Sequence, residues 1–395
     1  MKKLLAALFI SLAFASSAFG LVNPNTIQGY PNIFTGKNTV VNGGIEISQI
    51  FSAASHVAAA TGDPTTGAGY PVDNVMLTTS TVSVFSTVQV NSTNVATYTA
   101  GYLGSLGATN ALQTSVNATH GAPAATDEFA LYFPIEGLNF SRLQYGTANA
   151  KAGSLQFKER CSVSGTYSGA IKNYANTRAY LFSFSCTAGT DTQVYVQNIP
   201  GDTGGTWVGN TNQGAAYVTF DLGSGANFLS TASTWQTGNY NGVTGELALS
   251  AQANGAILTI TDVQFEVGAF STQFERKLNG LVLAECQRYL PYLNLPTAYA
   301  TLGVGYSSTT TVASIVVYYP VQSRVAPTGV IYNTNFAIFS AAGTSPVTTM
   351  ASPQYGVLSA SLAFTTINVA MVQGQAVIMG NNNTSNSFYF TGSQI

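Results

Sequence analysis

The sequence predicts an all-β protein in which a jelly-roll sandwich is followed by one short helix and a smaller C-terminal β domain. Short segments of alternating apolar and polar residues recur along its 395 residues, and turns rich in Ser, Thr, Asn and Gly separate them. Helical periodicity is convincing in only one stretch after the first twenty residues. Many short strands with a single helix are typical of a sandwich or jelly roll rather than a parallel α/β sheet.

The composition is unusual because only 7% of the residues are charged, whereas 46% are hydrophobic. An ordinary soluble domain has about 25% charged residues. The surface is therefore expected to be polar but uncharged, with hydroxyl and amide groups keeping the protein in solution. The formal net charge of −2, without a large basic patch, argues against a nucleic-acid partner, because binding to phosphates requires clustered Lys and Arg.

Residues 1–20 have the layout of a secretory signal. Lys2 and Lys3 precede an apolar stretch over 4–14, and the segment 15–20 has small residues at its last and third-last positions, Gly20 and Ala18. Read alone, this signal-like leader predicts export. Residues 21–41 contain Pro, Asn and Gly without a regular period, so they are interpreted as an irregular connector or attachment segment.

Residues 42–275 are expected to form the jelly-roll domain. Alternation of apolar and polar residues predicts half-buried strands within it. Examples lie at 81–90, 193–199 and 216–222. Between 256 and 267 the apolar parity changes at Thr261 and Asp262, and a β-bulge there would keep both halves of the strand facing one core.

Residues 276–290 are the stretch with helical period, and Pro291 would end this linking helix. Four apolar residues would share one stripe of it, namely Leu278, Leu281, Val282 and Tyr289. The helix is interpreted as a domain boundary. Residues 291–395 then return to short alternating segments separated by Ser, Gly and Asn turns, which predicts a second, smaller β domain.

The three cysteines are Cys161, Cys186 and Cys286. If residues 167–173 and 178–186 form a hairpin, Cys161 and Cys186 would lie on neighbouring positions, and a disulfide between them is conceivable. The favoured interpretation is three unpaired thiols that behave as small apolar residues.

No enzyme, metal site or cofactor is predicted. The two histidines, His56 and His120, lie in Ala- and Gly-rich surroundings without an evident Cys, Asp or Glu partner, and are interpreted as exposed loop residues. Glycan cleavage would need two carboxylates flanking a cleft. Candidates for such a pair are Asp127 with Glu128, Glu136, Asp262 with Glu266, and Glu275 with Glu285. Structural uses account for most of these, so a glycan-cleaving enzyme is disfavoured.

A glycan-binding site is a candidate at the loop 234–241, which supplies aromatic rings and amides within eight residues. Its candidate ligand-binding residues are Trp235, Gln236, Asn239 and Tyr240, with Trp207 as a further aromatic platform. The alternative, which is the favoured one, is that both tryptophans cap the sandwich core under their loops.

Nine short segments, taken in order, carry a family resemblance. They lie at 42–49, 135–138, 145–151, 155–166, 199–207, 220–225, 260–268, 274–276 and 283–289. As a set they resemble a widespread family of phage tail-fibre and virion structural proteins with a carbohydrate-binding-like jelly roll. The chain departs from the family at 72–75, where an Asp-Arg-Trp is usual and the aromatic residue is missing.

The resemblance implies a non-catalytic phage fibre subunit, located in the virion, that attaches the particle to the host surface, with a surface glycan as the candidate ligand. It also implies a homotrimer whose N-terminal segment contacts other virion proteins. A positive mean hydropathy and few charges favour burial of apolar surface between identical copies. Two alternatives stay open. One is a purely structural head fibre or capsid decoration protein, and the other is an exported bacterial cell-surface adhesin, which takes the leader at face value.

Overall fold

The computed structural model describes residues 36–51, 56–57, 69–94, 103–332, 335–366, 371–382 and 386–395. The predicted leader and most of the predicted connector lie outside these residues, and so does the side chain of His56. Asn38 to Ile395 form one compact unit. Its regular structure is almost entirely β, so the predicted fold class is confirmed. No helix in the described part of the chain has the length and apolar character that crossing a membrane requires.

The strands that precede the linking helix are short and mostly separated by turns. They are β1 (His56–Val57), β2 (Met76–Thr79), β3 (Phe85–Asn91), β4 (Asn110–Val116), β5 (Phe129–Glu136), β6 (Gly153–Cys161), β7 (Gly165–Asn173), β8 (Arg178–Cys186), β9 (Thr192–Ile199), β10 (Gly214–Asp221), β11 (Leu229–Ser230), β12 (Trp235–Thr237), β13 (Gly242–Val243) and β14 (Ile257–Val267). Helical turns lie among them at Gly137–Phe140, Gly104–Leu106, Ser141–Leu143, Ala226–Phe228 and Leu249–Ala251.

Twelve of these strands build a sandwich of two six-stranded antiparallel sheets, and β11 and β13 form a separate parallel pair. The first sheet has the order β1-β3-β4-β14-β6-β9, and the second has the order β12-β8-β7-β10-β5-β2. Side chains from both sheets meet in one hydrophobic core. At its centre, the ring of Phe220 lies 4.8 Å from that of Phe157 and 5.7 Å from that of Phe133. Alternation along β10 explains this, because Val218 and Phe220 point to the same face of the sheet.

The strand at 216–222 was expected to be half-buried, and this prediction is wrong. Every residue of β10 is buried, and so is every residue of β5. The outward face of the second sheet is covered by the segment 226–246, here called the covering loop. Tyr240 and Val243 of this loop pack against the outward residue Leu181. Periodicity within a strand cannot reveal a cover supplied by a distant loop.

The β-bulge predicted at Thr261 and Asp262 is confirmed. The pairing of β14 with β6 shifts register between Thr261 and Gln264, and Asp262 has a left-handed backbone with φ of 51°. Its carboxylate accepts hydrogen bonds from Lys158 Nζ at 2.6 Å and from Arg276 Nη2 at 2.8 Å. The bulge therefore keeps both halves of the strand turned towards the core, and two cations hold it in place.

Cys161 and Cys186 form a disulfide, so the favoured interpretation of three free thiols is wrong for these two. Cys161 ends β6 in the first sheet, whereas Cys186 ends β8 in the second, and the bond joins the two sheets. The hairpin on which that disulfide was conditional is present, because β7 and β8 pair antiparallel. Spacing along the chain could not show that β6 lies opposite β8. Cys286 is a free, buried thiol.

The linking helix spans Asn279–Gln287, which is shorter than predicted, and its buried stripe differs from the predicted one. Val282 and Tyr289 are buried with Cys286, but Leu278 and Leu281 are exposed. Leu278 precedes the first helical turn with an extended backbone. The helix therefore packs along residues spaced by four and three positions.

The chain then forms a second hydrophobic core within 295–390. Its strands are β15 (Tyr292–Leu295), β16 (Thr301–Ser307), β17 (Val312–Tyr318), β18 (Gly329–Tyr332), β19 (Phe336–Ser340), β20 (Gly343–Tyr355), β21 (Ser359–Thr366), β22 (Ala376–Asn381) and β23 (Asn386–Thr391). Six of them close into a barrel with the order β16-β17-β21-β20-β19-β22, and β15-β23-β18 form a small sheet. The domain boundaries proposed from the sequence stay predictions.

Hydrogen bonds from three side chains tie the barrel and the linking helix to the sandwich. The Arg324 guanidinium donates to the Asn212 carbonyl of the sandwich at 2.6 Å, and to the carbonyls of Ser393 and Gln394 in its own C-terminal region at 2.8 and 2.7 Å. After the helix, Arg288 and Tyr289 donate to the two carboxylate oxygens of Glu136, each within 2.7 Å. These three side chains therefore hold the barrel and the linking helix against the sandwich.

We expect the double variant Cys161→Ser, Cys186→Ser to lose about 3 kcal/mol of unfolding free energy, because the crosslink restricts a loop of 25 residues in the unfolded chain. Urea denaturation followed by near-UV circular dichroism measures the loss. A reducing agent should lower the midpoint of the wild type and leave that of the variant unchanged. Equal midpoints for the oxidised wild type and the variant would contradict the prediction.

Candidate functional site

The candidate aromatic residues Trp207 and Trp235 lie together at one end of the sandwich. Their ring centroids are 5.5 Å apart at an interplanar angle of 87°. Tyr145 lies 5.1 Å from Trp207 and 5.5 Å from Trp235, and Phe140 stacks on Trp207 at 5.3 Å. These four rings, together with Tyr180 beside Trp235, are here called the tryptophan cluster. The structure therefore brings together two residues that are 28 positions apart in the sequence.

Strand pairing and hydrogen bonds fix the orientation of both indoles. Trp235 lies on β12 opposite Tyr180 of β8, and its N–H donates to the Pro200 carbonyl at 2.7 Å. The indole N–H of Trp207 donates to Asp202 at 2.9 Å, and Arg178 holds the same carboxylate. Both indoles are half-buried and pack against the sandwich core, as the capping alternative expects. Because both indole N–H groups already donate hydrogen bonds within the protein, a ligand could contact only the ring surfaces of these tryptophans.

The other three candidate residues are engaged within the covering loop. Gln236 accepts a hydrogen bond from Ser230 and donates to the Thr231 carbonyl, each at 2.5 Å. The side-chain oxygen of Asn239 accepts from the Lys172 ammonium, and Tyr240 packs over the outward face of the second sheet. The five candidates therefore do not form one platform, and their role in ligand binding stays a prediction.

Beneath the covering loop lies a buried lysine that the sequence reasoning missed. Lys172 Nζ donates to Asn241 at 2.6 Å, to the Tyr132 hydroxyl at 3.2 Å and to Asn239. The Tyr132 hydroxyl donates to Glu128, and Asn241 Nδ2 also donates to Glu128 at 2.8 Å. The sequence did contain a signal for this site, because Lys172 is the one charged residue of β7 and lies at an outward position.

Two opposing effects act on the Lys172 amine. Three oxygen acceptors suit an ammonium with three N–H donors, whereas removal from water favours the neutral amine. Burial is the larger effect, and it lowers the pKa of Lys172 to about 7, although Glu128 and Asp221 pull it upwards. The Lys172 side chain therefore changes charge near neutral pH, at the place where the covering loop contacts the sheet.

A second buried cluster, also missed from the sequence, contains Asp221 and Glu246. Asp221 accepts backbone N–H bonds from Gly223 at 2.6 Å and Ser224 at 2.7 Å, which favours its charged form. Burial and the charge of Asp221 raise the pKa of Glu246 well above its usual range. The Ser168 hydroxyl donates to Glu246. Burial also raises the pKa of Asp221, despite these hydrogen bonds, so the site disfavours charge on both carboxyls.

Asp221 lies on β10 beneath the covering loop, and Glu246 is the last residue of that loop. A Cβ added at Gly242 would come within 2.6 Å of Glu246 Oε1 and 2.9 Å of the Asp221 Cβ, so the backbone of the loop packs directly on the pair. A substrate would have to displace that backbone before it reached both carboxyls. The arrangement suits holding a loop in place better than general acid and base chemistry, which needs both groups beside a bound substrate.

His120 is not an unpartnered loop residue, and this expectation is corrected. Its Nε2 lies 2.8 Å from Asp127 Oδ2, and the hydrogen bond lowers the pKa of Asp127. A turn brings the pair together, because the N–H of Ala124 also donates to the Asp127 carboxylate at 2.7 Å. The pairing had no periodic signal in the sequence.

The carboxylates considered for glycan cleavage have structural partners. Glu136 binds Arg288 and Tyr289, and Glu285 binds Lys277 at 2.7 Å. Such pairs hold neighbouring segments together and leave these carboxylates engaged. Among the described residues, donor atoms of Glu159, Cys161 and Cys186 also lie within 4.8 Å of one another. The two sulfurs are bonded to each other, so they do not act as thiolate ligands for a metal.

No protein-family model matches the sequence, and no curated protein matches it. Solved structures resemble about half of the chain. TmCBM61 in complex with β-1,4-galactotriose is 10% identical over 52% of this chain and 97% of its own, with a TM-score of 0.26. The family 11 carbohydrate-binding module of a cellulosomal cellulase of Clostridium thermocellum is 9% identical. The match covers 52% of this chain and 93% of the module, with a TM-score of 0.24. An exo-β-agarase is 10% identical, and the match covers 51% of this chain and 24% of the agarase, with a TM-score of 0.27. Likenesses this low carry no argument about a ligand.

We expect Lys172 to make stability depend on pH. Because its pKa is about 7 in the folded protein and about 10.4 in an unfolded chain, the unfolded chain binds an extra proton between these values. Wild-type stability should therefore rise with pH relative to that of Lys172→Met, by up to ~1.4 kcal/mol per pH unit, and level off below pH ~7.

Urea denaturation of both proteins at several pH values measures this difference. Lys151→Met, at an exposed lysine, is the matched control and should follow the wild type at every pH. A difference between wild type and Lys172→Met that stays constant from pH ~7 to ~10 would contradict the assignment.

Proposed function

We propose that the protein is a non-catalytic adhesion subunit, a phage fibre component that attaches the particle to the host surface by binding a neutral glycan. The tryptophan cluster carries this proposal. It combines held aromatic rings with a sandwich surface on which hydroxyls and amides greatly outnumber charges. Aromatic faces bind the C–H faces of sugar rings, and amides and hydroxyls bind their hydroxyl groups.

The rigidity of the cluster supports a binding role. Each indole is held by a hydrogen bond through its N–H, and Tyr145 and Phe140 pack against Trp207 from two directions. A platform that is already ordered loses little conformational entropy when a ligand binds. The exposed part of the two indoles is small, so we expect one site to bind weakly and many copies on one particle to bind strongly.

The partners of the carboxylates support the non-catalytic part of the proposal. Glu136 and Glu285 are engaged in ion pairs, and the backbone of the covering loop at Gly242 packs against Asp221 and Glu246. None of these supplies a pair of open carboxylates beside the tryptophan cluster. The proposed mechanism is therefore adhesion without cleavage.

A second candidate is an exported bacterial surface adhesin, and the disulfide favours it. Disulfides form and persist in oxidising compartments and are rare in the cytoplasm, where phage particles assemble. The bond between Cys161 and Cys186 and the signal-like leader at 1–20 are consistent with export. Glycan binding by the tryptophan cluster is common to both candidates, so the two differ in location rather than in chemistry.

A glycan array tests the binding chemistry. We expect the wild type to bind at least one neutral glycan and Trp235→Leu, which keeps apolar packing but removes the ring, to bind at least ~10-fold more weakly, a loss of ~1.4 kcal/mol. Tyr195→Leu is the matched control, because Tyr195 is 54% exposed on β9 and lies outside the cluster. Absence of binding at every glycan density would refute adhesion through glycans, and an equal loss in Tyr195→Leu would refute the assigned site.

Mass spectrometry separates the two locations. A phage fibre subunit should be found in purified particles, whereas an exported adhesin should be found at the cell surface with a new N-terminus near residue 21. An intact Met1 on a protein recovered from particles would rule out cleavage of the leader.

A further inference from the structure

A row of apolar side chains crosses the outer surface of the barrel. On neighbouring strands, Val304 pairs with Val316 on one side and with Ile378 on the other, and Ile378 pairs with Phe339. These four residues, here called the apolar belt, lie side by side on β17, β16, β22 and β19. At ~4.8 Å between strands the belt is ~14 Å long.

The belt is open to solvent in the single chain. Val304 is 54% exposed and Ile378 is 45% exposed, whereas Val316 and Phe339 are half-buried. Beside it lies an open groove of about 680 Å³ lined by three belt residues with Gly305, Ser340 and Gln375 among others. Isolated exposed apolar residues are normal, but a contiguous row marks an interaction surface.

The surface around the belt carries almost no charge. From Tyr289 to Ile395 the sequence contains one charged residue, Arg324. Its guanidinium is bonded to three backbone carbonyls at the junction with the sandwich. The barrel therefore has neither a charged rim to attract an oppositely charged partner nor charges to repel a similar surface.

This neutrality indicates the partner. A typical protein surface has many charged groups, and burying them against an uncharged belt would remove them from water without a counter-charge. A neutral glycan fits less well, because its hydroxyls need hydrogen-bond partners and the four belt side chains supply none. A second copy of this chain offers a surface that is equally apolar and equally free of charge.

We propose that the apolar belt is the contact face between the barrels of identical chains. Burial of the belt against its copy removes apolar surface from water and leaves no charge unpaired. The contact depends little on ionic strength, because no ion pair contributes to it. This inference does not depend on glycan binding, which we assign to the other domain.

Sedimentation velocity of the full-length protein from ~1 to ~100 µM tests the proposal. The wild type is expected to self-associate, with a dissociation constant that changes less than ~3-fold between ~0.05 and ~0.5 M NaCl. Val304→Glu and Ile378→Lys should each raise that constant at least ~10-fold, because a charge is then buried in the contact.

The matched control is Val82→Glu, which places the same charge at a valine that is 53% exposed on the sandwich. It should associate like the wild type. A wild type that stays monomeric, belt variants that associate normally, or a control that is equally impaired would overturn the proposal. If Val304→Glu lost glycan binding but still associated like the wild type in sedimentation, the belt would be assigned to a glycan instead. Sedimentation measures self-association and the glycan array measures glycan binding, so failure of this proposal is distinguishable from failure of the proposed adhesion.

Discussion

Charged groups in this fold hold segments together, and the rest of the structure depends on these few contacts. Lys158 and Arg276 converge on the carboxylate of Asp262, and that bulge keeps the central strand β14 facing the core along its whole length. Arg178 and Asp202 hold the loop that carries Trp207. Removing one partner of a buried ion pair is strongly destabilising, because the other charge is then left buried without compensation. Each of these contacts therefore fixes a geometry that hydrophobic packing alone would leave open.

The buried polar groups under the covering loop follow the same pattern. Lys172 lies on β7 and Glu246 at the end of the loop, and burial lowers the pKa of Lys172 and raises that of Glu246. A loop packed only through Tyr240 and Val243 would have many equivalent positions, because apolar contacts are not directional. Hydrogen bonds to Asn239 and Asn241 select one position. The cost of burying these groups is thus consistent with a requirement for one arrangement of the loop.

Local periodicity predicted the strands well, since alternation and turn residues are properties of a few adjacent positions. The bulge at Asp262 and the hairpin of β7 and β8 were predictable for the same reason. What failed was contact between distant segments. The disulfide partner of Cys161 and the cover over β10 depend on how separate segments meet. The pairing of His120 with Asp127 depends instead on a nearby turn, which leaves no periodic signal in the sequence. Of the candidate site, the tryptophans were predictable as residues, but their contact with each other was not.

The scarcity of lysine and arginine has a consequence for survival outside a cell. Trypsin-like proteases cut only after these two residues, and beyond Tyr289 the chain offers them Arg324 alone. The guanidinium of this residue is bonded to three carbonyls, and its backbone N–H donates to the carbonyl of Arg288. The enzyme would have to open the junction between barrel and sandwich before it cut once. A digestive fluid rich in trypsin therefore finds almost nothing to cleave in the barrel while it stays folded.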